Sequence, residues 1–333
     1  MNTDETVAST ATITFHRRGR LDHGFLNETD LCGFKQDCDL LYAPNERCGY
    51  IKTSTANILP PCRAGDNPGH WVVPCTDCKT GEGCTWSRAT WQPVGCSYQQ
   101  FSRRRLQQCL RGRKLLFIGD STNRGIANYI IEQTNDTLHD WDKTHTTRLY
   151  QNVNNNRTQV AFSYYPHFWL PVTHRPSFKK VLYQLFKRSL PLENNTNTVL
   201  VVGGVQWISK QHIDLIAEAL QRKGLSGIKT VIKGLGAGFH LPVESMRYVP
   251  PQSYPELYRR EAEVLAYAMQ HGFHVAATFS MTASRHRDFL EGQCACHFHR
   301  VRKIVAAGAT HGRYIVEGEV NTAYSQIILN QIC

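Results

Sequence analysis

The stretch Lys114-Leu115-Leu116-Phe117-Ile118-Gly119-Asp120-Ser121-Thr122-Asn123 decides how this chain is read. Its first five residues form a short apolar run, as expected of a strand buried on both faces. Gly119-Asp120-Ser121 is a tight turn, after which Ile126, Tyr129 and Ile130 recur at helical spacing. A strand that turns directly into a helix presents the Ser121 hydroxyl at a helix N-terminus. There the free backbone N–H groups and the positive end of the dipole stabilise a developing oxyanion. Taken alone, the tripeptide is as readily a helix cap, with Asp120 or Ser121 accepting from the first turn.

Working outward, the same alternation repeats. Thr198 to Val202 (TVLVV) is a second buried strand ended by Gly203-Gly204, and 210–223 is a helix burying Ile213, Ile216, Ala217 and Leu220. Thr230 to Ile232 is a third strand, 255–270 a long helix, and His274 to Phe279 the next strand. Such units predict an α/β fold with a parallel sheet covered on both faces and right-handed crossovers. The ligand site then lies beyond the carboxyl ends of the strands.

Upstream the character changes. Residues 1–30 read as a tail or the remnant of an upstream domain, 31–109 as a cysteine-rich cap and 110–333 as the α/β domain. Nine of the twelve cysteines lie between Cys32 and Cys109, and Cys294, Cys296 and Cys333 lie near the end. If all pair, the odd nine forces at least one disulfide between the two regions, which removes roughly 4–5 kcal/mol of unfolded-state freedom by chain entropy. Cys75-Thr76-Asp77-Cys78 followed by Cys84 lacks a second metal-ligand pair, so disulfides are expected there too. Four N-glycosylation sequons, at Asn27, Asn135, Asn156 and Asn194, point with the cysteines to the secretory pathway lumen or outside the cell. Met1 to Ala11 is polar and acidic, unlike a signal peptide, so the natural N-terminus is expected upstream. No apolar run reaches bilayer-spanning length. The net charge of +11, from 38 Lys and Arg against 27 Asp and Glu, suits acidic glycans better than nucleic acid, for which no basic-aromatic motif is present. A solvated basic surface is an equal reading.

Several segments together resemble one family. Trp91-Gln92-Pro93, Gly95-Cys96, Cys109-Leu110 and the Leu116 to Ser121 block are similar to the entry segment of the PC-esterase family, within the SGNH/GDSL hydrolases. Tyr164-Tyr165-Pro166, Val201 to Trp207, Gly238 to Pro242 and Cys294 to His299 extend the resemblance over about 85–333. The resemblance implies a three-layer, flavodoxin-like SGNH domain and an O-acyl, chiefly O-acetyl, esterase or acetyltransferase acting on carbohydrate. Ser121 matches the nucleophile, Gly204 and Gln206 the oxyanion donors, and His297 the general base with His299 as the alternative. The family's Asp-x-x-His has Cys294 at the Asp position, so Asp288 or Glu291 is the stand-in for the acid. No cofactor or metal is implied; the partner is an O-acylated carbohydrate or acyl donor. The rival reading is a non-catalytic glycan- or protein-binding module on a degenerate SGNH site.

Other readings of these motifs are weaker. Cys294, Cys296, His297 and His299 are spaced too tightly to surround one tetrahedral zinc ion easily. Gly234-Leu235-Gly236-Ala237-Gly238 lacks the third glycine and the following helix of a dinucleotide fingerprint, Phe239 standing in its place. His240 reads as a structural histidine. Trp169, Trp207 and Tyr165 are candidates for stacking on sugar rings, although most such residues simply pack.

Overall fold

The computed structural model describes residues 60–65, 69–72, 90–93, 95–138, 146–238, 250–286, 289, 298–305 and 312–333. Its centre is a six-stranded sheet in the order β4-β5-β3-β6-β7-β8. The strands are β3 (Lys114–Gly119), β4 (Arg148–Val153), β5 (Thr158–Tyr164), β6 (Thr198–Gly203), β7 (Lys229–Lys233) and β8 (His274–Ala276). All neighbours pair parallel except β4, which runs antiparallel to β5 along the edge.

Side-chain alternation explains the layering. Leu115 and Phe117 of β3 join Val199 and Val201 of β6 in one core, while Leu116, Ile118, Leu200 and Val202 join the other. Successive strand residues point to opposite faces, so an unbroken apolar run is what a sheet with two covered faces requires. On the first face lie α1 (Arg103–Leu110), α2 (Ser121–Asn135) and α7 (Glu319–Ile332); on the second lie α3 (Phe178–Arg188), α4 (Lys210–Arg222) and α5 (Tyr254–Gln270). The result is a three-layer α/β arrangement. Phe117 is 0% exposed at its centre, and truncating such a side chain to alanine costs about 3–5 kcal/mol.

Two expectations need correction. The sheet is mixed rather than wholly parallel, because β5 doubles back on β4 through Asn154, Asn155 and Asn156, all at positive φ between 53° and 63°. Asparagine tolerates the left-handed region better than most residues, and β4, with a mostly exposed or half-buried pattern, carries no buried-strand signature. The strand expected from His274 to Phe279 stops at Ala276, and a short helix α6 (Phe279–Ala283) follows. Glu261 Oε1 of α5 accepts from the Thr278 and Phe279 N–H groups at 3.0 and 3.2 Å, which turns the chain out of the sheet.

Upstream, the ribbon β1 (Gly69–Val72) and β2 (Thr90–Pro93) is antiparallel, and Trp71 and Trp91 meet edge-to-face at 5.7 Å within the first core. Leu106 and Leu110 of α1 enter the same core. Disulfides join Cys62 to Cys96 and Cys109 to Cys333. The second closes 224 residues and is the tie between the cysteine-rich region and the C-terminus that cysteine parity demands. A second ribbon, β9 (Arg300–Ile304) with β10 (Arg313–Glu317), lies on the α2 side, where Val301, Tyr314 and Val316 pack on the first core. Among the described residues no helix is long and apolar enough to cross a membrane.

Candidate active site

Ser121 is the first residue of α2 and is buried, immediately past the carboxyl end of β3. Asp120 is the N-cap. Its Oδ1 accepts from the Thr122 N–H at 2.9 Å and the Thr122 hydroxyl at 2.7 Å. Of the two capping candidates in the sequence, Asp120 is the cap and Ser121 opens the helix.

Asp120 does more than cap. Its Oδ2 accepts from the Val205 N–H at 2.6 Å, in the loop after β6. The carbonyl of the same peptide, on Gly204, accepts from Lys233 Nζ at 3.1 Å. The Gly204–Val205 peptide is thus held at both ends, by a carboxylate on the Gly119-Asp120-Ser121 turn and an ammonium from the end of β7. Burial holds the Asp120 carboxyl above the usual carboxylate range, and the Thr122 and Val205 donors together with the charge of Lys233 offset only part of that rise. Lys233 is only 1% exposed, also donates to the Gly234 carbonyl at 3.3 Å, and lies over the Tyr324 ring at 5.4 Å.

This clamp dictates the loop's residues. A Cβ on Gly204 would stand 2.1 Å from Trp207 Nε1 and 2.3 Å from Asp120 Oδ2, so no side chain fits. Because the Val205 N–H is spent on Asp120, the Gly204 N–H is the backbone donor of this peptide pair that the clamp leaves unused. The Gln206 side-chain amide donates to the Gly238 carbonyl at 3.2 Å. Gln206 therefore lies in the same loop as Gly204 with its amide engaged by the next one. In that next loop, Gly236 donates to the Val205 carbonyl at 2.6 Å and Ala237 to the Thr282 hydroxyl at 2.9 Å. Both N–H groups are thus engaged within the protein.

His299 is buried, with Nδ1 2.5 Å from where a Cβ on Gly125 would stand. Gly125 is one helical turn along α2 from Ser121, so His299 approaches α2 at that level. His297, Asp288, Glu291, Cys294, Cys296 and His240 lie outside the described residues, as does Asn27. Among the described residues no group of three or more His, Cys, Asp or Glu could hold a metal ion.

Aromatic side chains gather at the residues that follow β5 and β6. Tyr165, whose N–H donates to the Gly119 carbonyl at 2.8 Å, meets Trp207 edge-to-face at 4.8 Å, with Phe178 and His212 against both. The Tyr165 and Trp207 rings are thus packed into each other, whereas Trp169 is 39% exposed and stands edge-on to Tyr164 at 4.8 Å. His212 shares a hydrogen bond of 2.7 Å with Ser209 Oγ, and burial followed by the charge of Arg260 pulls its pKa down to about 4. Arg124, buried in the first turn of α2, lies over the Tyr164 ring at 5.7 Å.

Lys233, His212 and Arg124 were not among the sequence candidates. Lys233 had a legible signal, a lysine closing an otherwise apolar strand; the other two had none beyond neighbouring motif residues. Of the sequons, Asn156 and Asn194 are exposed, whereas the Asn135 amide donates to the Asn152 carbonyl and accepts from the Asn154 N–H, each at 2.8 Å.

Comparison with known proteins bears on the same segment. Residues 91–225 match the NXPE family member 4-like, C-terminal domain. The chain is 38% identical over 53 residues to Protein trichome birefringence-like 4 of Arabidopsis thaliana, covering 16% of this chain and 12% of that protein. It is 49% identical over 35 residues to Probable xylan O-acetyltransferase 10 of Oryza sativa subsp. japonica, covering 10% and 8%. It is 44% identical over 39 residues to Xylan O-acetyltransferase 3 of the same plant, covering 12% and 9%. The matched stretches span no more than 12% of the length of these relatives. The chain is therefore similar, over the 91–225 segment that contains the Gly119-Asp120-Ser121 turn, to the NXPE C-terminal domain, and over shorter stretches to proteins named as polysaccharide O-acetyltransferases.

Proposed function

We propose that this chain is an O-acyl, chiefly O-acetyl, esterase or acetyltransferase of the PC-esterase kind that acts on carbohydrate through an acyl-enzyme on Ser121. The observation that carries the reading is the clamp around the Gly204–Val205 peptide. It ties the helix N-terminus bearing Ser121 to the neighbouring loop, so that donors are arranged before any substrate arrives. The similarity to xylan O-acetyltransferases supports the acyl and carbohydrate parts of the reading.

In this mechanism Ser121 Oγ attacks the acyl carbonyl while His297, or His299 in its place, takes the hydroxyl proton. The oxyanion accepts from the Ser121 and Gly204 N–H groups, with the Gln206 amide joining if it leaves Gly238. Collapse breaks the ester C–O bond, and the histidine returns its proton to the departing alkoxide. Water or a sugar hydroxyl then attacks the acyl-serine, passing its proton to the histidine, and Ser121 leaves with that proton. A carboxylate behind the histidine, supplied by Asp288 or Glu291, would fix the tautomer. The disulfides are compatible with work in the lumen of the secretory pathway or outside the cell.

A binding module is the second reading, favoured by Cys294 at the Asp position and by the engagement of the Gln206 amide with Gly238. Labelling with a fluorophosphonate probe separates the two, with Ser121→Ala as control and the adduct mapped by mass spectrometry. Ser121-dependent labelling is the expected result. Well-folded protein that takes up no probe would sink the enzyme reading and leave the binding module.

A further inference from the structure

The ribbon β9–β10 carries a stripe of arginines that the proposed chemistry does not use. By the pairing register, Arg300 stands opposite Glu317, Arg302 opposite Ile315 and Ile304 opposite Arg313. Paired residues of an antiparallel ribbon share a face, so Arg300, Arg302 and Arg313 all lie on one side. It is the outer side, because Val301, Tyr314 and Val316 of the alternate positions pack inward. The arginine side chains are 70%, 57% and 48% exposed, in that order.

Two carboxylates hold these groups in place. Glu317 accepts from Arg300 Nε and from Arg302 Nε, each at 2.8 Å. Asp136, at the end of α2, accepts from Arg313 at 2.7 Å and also pairs with Arg103 of α1. Hydrogen bonds from Arg302 first, and then from Arg300, hold the Glu317 carboxyl below the usual range, so it stays ionised across neutral pH. Glu132, buried in α2, senses the charges of Arg313 and Arg103 as well, so four guanidinium groups face at most three carboxylates and keep a net positive charge. The pairing orients the arginines in advance, and a guanidinium has five donors, so each keeps N–H groups for another anion. Arg104 and Arg105, next along α1, are exposed as well.

The stripe has a direction. The ribbon runs beside α2, with Tyr314 bridged to Leu138 beyond the C-terminal end of the helix. At the other end Arg300 follows His299, which touches Gly125 one turn from Ser121. From Arg300 to Ile304 is about 13 Å at the usual strand rise, long enough for successive anionic groups of a linear polymer.

We infer that the outer face of β9–β10, with Arg300, Arg302, Arg313 and Arg103, is a docking surface for a linear anionic polysaccharide, sulfated or carboxylated. Charge complementarity selects a polyanion. The two disulfides are compatible with an oxidising compartment, where glycans rather than nucleic acids are the polyanions at hand. Docking stands without the esterase reading. Taken with it, the stripe leads the chain toward Ser121.

The test uses the full chain and a size-defined heparin oligosaccharide, with a neutral dextran and transfer RNA beside it, followed by calorimetry over a salt series. In Arg300→Ser/Arg302→Ser/Arg313→Ser, affinity for heparin should fall about tenfold or more, and the salt dependence should flatten by about two to three released counterions. The matched variant Lys179→Ser/Lys210→Ser/Arg222→Ser, which removes equal exposed charge from α3 and α4 on the other face of the sheet, should stay within about twofold of the parent. Arg300→Lys/Arg302→Lys/Arg313→Lys keeps the charge without the planar fork. It should bind between the parent and the serine variant, and it guards against a folding defect in the latter. No heparin binding, equal losses in the two serine variants, or tighter binding of transfer RNA than of heparin would each overturn the inference. Fluorophosphonate labelling of Ser121 in the same preparations reports separately on the esterase reading.

Discussion

At its N-terminal end α2 is capped by Asp120, 4% exposed, and at its C-terminal end by Asp136, whose side chain is 41% exposed. The same side chain meets opposite conditions. Asp120 sits at the positive end of the helix dipole, accepts from Thr122 and Val205, and has Lys233 as a buried neighbour. Asp136, at φ 69°, sits at the negative end, where a carboxylate is disfavoured, and Arg103 and Arg313 offset it from solvent. Burial decides what each pairing is worth. In water the Asp136 pairs contribute little, whereas in the dry interior loss of one partner strands the others.

The largest effect that can break this contrast is Asp120→Ala. It leaves two backbone N–H groups and the Lys233 ammonium without their carboxylate, and should cost about 3–5 kcal/mol in urea unfolding. Asp120→Asn keeps a capping oxygen and should recover part of the loss. A cost under about 1 kcal/mol for the alanine variant would mean that the clamp is not energetically coupled to the fold.

A smaller effect sharpens the dry end. His212 has a pKa of about 4 when folded, below the ordinary value near 6.5 expected of the unfolded chain. Between those values the unfolded state binds more protons, so stability falls as pH drops from about 6.5 toward 4, by about 2 kcal/mol. Thermal unfolding of His212→Gln across this window should show a flatter pH dependence than the parent. Parallel curves would remove His212 from the account.

The smallest effect belongs to the wet end. Arg103→Ala and Arg313→Ala should each change stability by about 0–1 kcal/mol, and a double-mutant cycle with Asp136→Ala should give couplings of similar size that shrink in high salt. Couplings near those of the Asp120 clamp would erase the distinction between the two ends.

Much of the fold was readable because it rests on local pattern. The apolar runs at 114–118, 198–202 and 230–232 are strands in the structure, and the helices predicted over 210–223 and 255–270 appear as α4 and α5. β4 was not readable, since an edge strand needs only one covered side and its exposed residues look like loop. The ribbon β9–β10 escaped for the same reason, with arginines on its outer face. In the site, Ser121 was readable because strand, turn and helix are contiguous in sequence.

The sequence by itself determined that a buried strand would deliver Ser121 to a helix N-terminus, that the sheet would be covered on both faces, and that cysteine parity would tie the two ends of the chain. Those features follow from neighbouring residues and from counting. Only the tertiary structure decided that Asp120 would reach Val205, 85 residues away, that Lys233 would close the same peptide from another strand, and that Arg103 and Arg313 would share Asp136. No local periodicity encodes such pairs. They exist because packing brings distant buried polar groups together, where each must find a partner or bear the cost of desolvation.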